Sequence, residues 1–145
     1  MKTARKMVHL GRWGLSIFIA STVLAGMQEL ALYIYHALAG YDEMTLTHHF
    51  FYGLAASFSS GAVFTFTGAW MMGTRERVGA AKIFAVAFVC MAFFRMAEAG
   101  LHGDEQGVPL IFIAAAGCAG MFGAFGTWYV MNSNENLSLQ LTEGS

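Results

Sequence analysis

The chain has 145 residues, 57% of them hydrophobic and only 12% charged, with a formal net charge of −1 and a mean hydropathy of +0.53. Soluble domains carry about 25% charged residues, so an ordinary soluble domain is excluded. The sequence shows no basic nucleic-acid surface, no phosphate-binding glycine loop and no nucleophile triad.

Four nearly uncharged runs follow one another, at 13–38, 47–73, 79–101 and 108–131. Each has roughly the 20 residues that cross about 30 Å of hydrocarbon as a helix. The expected fold is all-α: an integral membrane, up-down-up-down bundle of four transmembrane helices in one domain, 1–132, with a polar tail at 133–145 of little order. The basic start "MKTARKMVHLGRWG" followed by "LSIFIASTVLAG" has the form of a signal peptide. The apolar run continues through "ELALYIYHALAG", which favours an uncleaved first helix.

Lys2, Arg5, Lys6 and Arg12 precede or open the first run, and Arg75, Arg77 and Lys82 surround the turn after the second. The loops at 39–46 and 102–108 carry Asp42, Glu43, Asp104 and Glu105 instead. The positive-inside rule puts the N-terminus, the 74–82 turn and the C-terminus in the cytoplasm of a bacterial-type inner membrane, with the acidic loops outside. The N-terminal cations also suit anionic lipid. Trp70, Trp128 and Tyr129 form an interfacial belt at the cytoplasmic ends of the second and fourth helices.

Ser57, Ser59, Ser60, Thr65 and Thr67 enrich the second helix in hydroxyls, which are expected to bond back to their own backbone. Cys90 and Cys118 have no CxxC spacing and read as small packing residues. Pro109 starts the fourth helix, where a missing N–H costs nothing. That helix carries Ala116, Gly120 and Ala124, and Ala119 and Gly123, at spacing four. Such small-residue faces let backbones approach closely, within the chain or against another subunit or a second copy.

Polar residues inside the helices gather at one level. Glu29 and His36 lie seven apart near the outer end of the first helix, with Tyr33 between them. His48 and His49 open the second. Arg95, Glu98 and His102 form one stripe closing the third. Four of the five histidines therefore share the outer level, and His9 is left as an interfacial bystander. A carboxylate or guanidinium in the bilayer costs about 2.5–3.5 kcal/mol on insertion scales. Arg95 can pair with Glu98, whereas Glu29 has no partner in its own helix. A divalent metal would satisfy Glu29, Glu98 and several imidazoles together, and such ligands suit Cu(II), Zn, Fe or Mn, with Cu(II) at the top of the stability order. The plainer reading is a salt-bridge network joining Glu29 to Arg95, with interfacial histidines around it.

"HALAGYDEMTLTHHFFYG" (36–53), with "TLTH" at Thr45–His48, resembles a segment of the C subunit of copper membrane monooxygenases, the particulate methane and ammonia monooxygenases. "GTRERVG" (73–79) is similar to that family's cytoplasmic turn. "EAGLH" (98–102) resembles its Asn-xxx-His pair, and "DEQGVPL" (104–110) the stretch after it. The order along the chain is the same over about 30–112. Three positions depart: Leu32 stands where the family has a carboxylate, Glu98 where it has Asn, and Ile111 where it has a further histidine. The resemblance implies a copper site built from His36, His48 or His49, Glu98 and His102, in a subunit of a larger oxidoreductase complex. The altered ligand positions leave oxygenase activity itself in question.

Three other functions fit the same residues. One is a membrane anchor holding haem b between two histidines, with a quinone nearby, although such ligands usually lie deeper than a helix end. Another is a non-catalytic structural or assembly subunit whose polar cluster is an ion-pair network. Ion transport through Glu29, Arg95 and Glu98 is disfavoured, since no acidic residue continues the relay through the inner half.

Overall fold

A computed structural model shows four α-helices in chain order: α1 (Lys2–Ala39), α2 (Leu46–Met71), α3 (Arg77–His102) and α4 (Leu110–Glu143). It describes residues 2–39, 46–102 and 109–143, with side chains over 7–37, 50–101 and 109–135. Asp42, Glu43, Asp104 and Glu105 lie outside the described residues. Three segments are long and apolar enough to cross a membrane, Met7–Ala37, Arg77–Leu101 and Leu110–Glu135. α2 is also mostly apolar, and its 26 residues span about 39 Å at 1.5 Å per residue. The all-helical membrane bundle expected from the four apolar runs is the fold observed.

The helices overrun the apolar runs. α1 begins at Lys2 and α4 continues through 132–143. Hydropathy marks the hydrocarbon boundary, whereas the backbone ladder propagates as long as the residues favour it. The flanks contain no proline and several good helix formers, Ala, Leu, Lys, Arg, Gln and Glu. Pro109 sits just outside α4, and its carbonyl accepts from Phe112 N–H at 2.8 Å, as expected of a residue that starts a helix.

α2 is the hub. It packs against α1, α3 and α4, and α3 also packs against α4. Among the described residues no Cα of α1 comes within 8 Å of α3 or α4. The α2–α4 approach is close because glycines face backbone. A methyl group on Gly61 would overlap the Gly120 carbonyl, and one on Gly123 would overlap the Phe58 carbonyl. Lipid tails are as apolar as leucine, so contact of this kind, with its dispersion and Cα–H···O interactions, drives association in a membrane. The small face of α4, which the sequence offered equally to another subunit, is therefore used inside the chain. Gly120, Gly123 and Ala124 are buried within the chain, while Ala116 and Ala119 are half-buried.

The most closely packed region lies toward the end carrying the N-terminus and the α2–α3 turn. Ala20, Phe64, Ala69, Met72, Ala80, Ala81 and Phe84 form one buried cluster. The Phe84 ring meets Phe64 edge-on with centroids 5.4 Å apart, and stacks on Trp13 at 5.9 Å and 12°. It fills the space beside Gly68, where a Cβ would come 2.5 Å from the ring. Trp128 packs partly buried against this cluster, while Trp70 and Tyr129 are exposed.

Candidate functional site

Two polar groupings sit at opposite ends of the bundle. At the histidine end, Tyr35 of α1 is buried and its ring lies 4.4 Å from that of Tyr52 on α2. Phe50 and Phe112 meet at 4.8 Å, so α2 and α4 begin at the level where α1 ends. His36 follows Tyr35, with ring centroids 5.7 Å apart. It is half-buried, with its Nδ1 covered. The backbone of His48 and His49 lies in the first turn of α2, and His102 is the last residue of α3. The side chains of His48, His49 and His102 lie outside the described residues.

The charged residues there are divided. Arg95 Nη1 lies 3.6 Å from Glu98 Oε2, one turn along the same helix, with side chains 80% and 50% exposed. The expected Arg95–Glu98 pair is formed, and the alternative Glu29–Arg95 bridge is not among the ion pairs of the described residues. Glu29 is exposed. It lies on the face of α1 next to Gln28, about 100° further round the helix. Among the described residues no three His, Cys, Asp or Glu side chains stand together as a metal would require. That leaves His36 as the one candidate ligand that α1 presents partly buried.

Between the two ends a cleft separates α1 from α3. Two adjoining cavities, of about 540 Å³ and 310 Å³, share Gln28 of α1 and Phe88, Ala92 and Arg95 of α3 as walls. Cys90 lines the larger one, and both cysteines are free and exposed. Their expected role as small packing residues is corrected accordingly: Cys90 borders the open cleft and Cys118 lies exposed on α4.

At the basic end, α1 is tied to the α2–α3 turn by contacts that sequence reasoning missed. The Arg12 guanidinium donates to the Met72 carbonyl at 2.5 Å. Gly73 ends α2 with φ +82°, the left-handed position that glycine tolerates at a helix C-terminus. Ser16 is fully buried and its hydroxyl donates to the Gly68 carbonyl at 2.6 Å. His9 is no bystander. Trp13 Nε1 donates to His9 Nε2 at 3.2 Å, and His9 Nδ1 faces Glu76 Oε2 at 3.6 Å. An indole N–H only donates, so His9 Nε2 is the acceptor of the bond from Trp13. Arg77 lies over the Trp70 ring, 4.1 Å from its centroid. One signal of this was legible: Trp13, Ser16, Ala20, Leu24, Met27, Ala31 and Tyr35 recur at spacings of three and four, and each is buried or half-buried. The hydroxyl rule held locally for Ser59, which bonds the Ala55 carbonyl at 2.8 Å, while Ser16 crosses to another helix instead.

No protein-family model, curated protein or solved structure matches this chain.

Proposed function

We propose that this chain is an integral membrane subunit that holds a transition metal, copper by ligand type, at the histidine end of its bundle and works within a larger redox complex, in line with its resemblance to copper monooxygenase C subunits. The observation that carries the reading is convergence. His36 lies near the end of α1, the backbone of His48 and His49 in the first turn of α2 and that of His102 at the end of α3, so four histidine positions share one end of the bundle. The covered Nδ1 of His36 fits a ligand turned toward protein. His36, His48 or His49, and His102 would hold the metal. Glu98 would join them on releasing Arg95, and Glu29, exposed on α1, is a further carboxylate candidate. Copper bound there would supply one-electron chemistry. By charge distribution the N-terminus, the 74–82 turn and the C-terminus face the cytoplasm across a bacterial-type inner membrane.

Metal analysis of protein purified from membranes tests this reading. Wild type should retain metal, and His36→Ala and His102→Ala should each lose it with helicity unchanged. A metal-free wild type, with both variants equally stable, would overturn it. A Soret band would redirect the site to haem b.

A second reading, a structural or assembly subunit, is favoured by one observation. Glu29 and Arg95 are both exposed within helices that cross the membrane. At about 2.5–3.5 kcal/mol each on insertion scales, such groups call for cover from another membrane protein. The two readings are compatible, and they separate on metal content.

A further inference from the structure

We infer that the cleft between α1 and α3 binds an amphiphile with an anionic headgroup, its carboxylate or phosphate on Arg95 and its acyl chain along Leu24, Phe88 and Met91. The cleft exists because α1 leans on α2 alone, while Trp13 reaches Phe84 only near the basic end. Its two cavities, about 540 Å³ and 310 Å³, fall in the range of small-molecule sites, roughly 300–1,000 Å³. The lining is apolar apart from a few convergent polar groups. Ser57 and Ser60 are on the floor of the smaller cavity, with Gln28 and Arg95 on both walls.

Charge selects the occupant. Among the described residues Arg95 is the only cation on the walls, and Glu98, its partner at 3.6 Å, lines neither cavity. A guanidinium has five N–H donors, and one long contact to Glu98 leaves most of them for a second anion. Arg95 sits seven residues before the end of α3, about 10 Å along the axis. A headgroup at the membrane surface can reach it while its chain runs down the cleft. Gln28, exposed on the opposite wall, adds an amide donor. A zwitterionic lipid would bring its own cation against Arg95 and gain less.

The source of the anion is either a free fatty acid or an anionic phospholipid, and native mass spectrometry of the full chain in detergent separates them. The probes are oleate, dioleoyl phosphatidylglycerol and dioleoyl phosphatidylcholine. Wild type should retain one oleate or one phosphatidylglycerol in preference to phosphatidylcholine, and whichever is retained names the source. Arg95→Gln should weaken that binding roughly tenfold, the scale of a charge-assisted hydrogen bond. Lys82→Gln, on the same helix outside the cleft, should leave it unchanged. Ala92→Phe fills a wall shared by both cavities and should block the chain with Arg95 intact. Equal retention of phosphatidylcholine, full binding by Arg95→Gln, or full binding by Ala92→Phe would each overturn the proposal. Metal content does not enter this readout, so its failure is distinct from failure of the metal site.

Discussion

Arg12 of α1 donates a hydrogen bond to the carbonyl oxygen of Met72, sixty residues away, at 2.5 Å. Met72 follows the last residue of α2, where helix carbonyls lack intrahelical partners and the dipole is negative. One guanidinium thus satisfies an orphan acceptor, neutralises a helix end and pins α1 to the turn. A Cβ at Gly73 would lie 3.0 Å from the same nitrogen, so the turn leaves room for Arg12 as well as adopting its left-handed backbone.

Arg12→Ala should destabilise the purified protein by about 1.5–3 kcal/mol, the range for a hydrogen bond to a charged group. Thermal unfolding in detergent would read this as a lowered Tm. Arg12→Lys should recover part of it, since an ammonium keeps the charge without the guanidinium's reach and geometry. A Tm unchanged in Arg12→Ala would mean that the cap contributes nothing to holding α1.

Gly61→Ala and Gly123→Ala should each cost about 1–3 kcal/mol through overpacking, because each added methyl meets backbone that cannot rotate away. Gly126→Ala, with nothing within 4 Å of the new carbon, should be neutral or slightly stabilising. The contrast among three chemically identical substitutions is the check, read by thermal unfolding or by resistance of the helical signal to denaturing detergent.

Ser16→Ala removes a buried bond from α1 to α2 and should cost about 0.6 kcal/mol or more, the average for hydrogen bonds between membrane helices, with about 1.7 kcal/mol as the upper limit. Thr22→Ala, which loses only a bond to the Phe18 carbonyl of its own helix at an exposed site, should change stability by less than about 0.5 kcal/mol. Equal losses in the two would show that the cross-helix bond has no special weight.

Glu29→Gln should leave the stability of the isolated chain within about 0.5 kcal/mol of wild type, as for an exposed substitution away from strained or buried groups. If Glu29 meets a second membrane protein, the same variant should reduce co-purification of that protein from mild detergent. Unchanged co-purification would remove Glu29 from any such interface.

The candidate site was legible to different depths at different residues. The level shared by His36, His48, His49, Glu98 and His102 can be counted from helix ends, since an α-helix advances 1.5 Å per residue. The Arg95–Glu98 pair follows from a spacing of three. Which way Glu29 faces could not be counted. Glu29 and Gln28 are neighbours in sequence, yet only Gln28 lines the cleft, because the facing direction depends on how α1 is rotated against α2. His9 was misjudged for a related reason: its partner Glu76 belongs to a turn that is distant in sequence and adjacent only after folding.

By itself, the sequence determined that the chain forms four apolar helices suited to a membrane and which ends carry the cations and the histidines. Hydropathy and charge act residue by residue against the solvent, and they need no partner to be read. The tertiary structure alone decided that α4 spends its glycines on α2, that α1 is held by Arg12, Trp13 and Ser16 near one end and by the Tyr35–Tyr52 contact near the other, and that a cleft opens between α1 and α3 beside Arg95. Those outcomes depend on shape complementarity between helices. In a bilayer, where burial in protein and burial in lipid are nearly equivalent for an apolar side chain, close packing and satisfied polar atoms choose the neighbours.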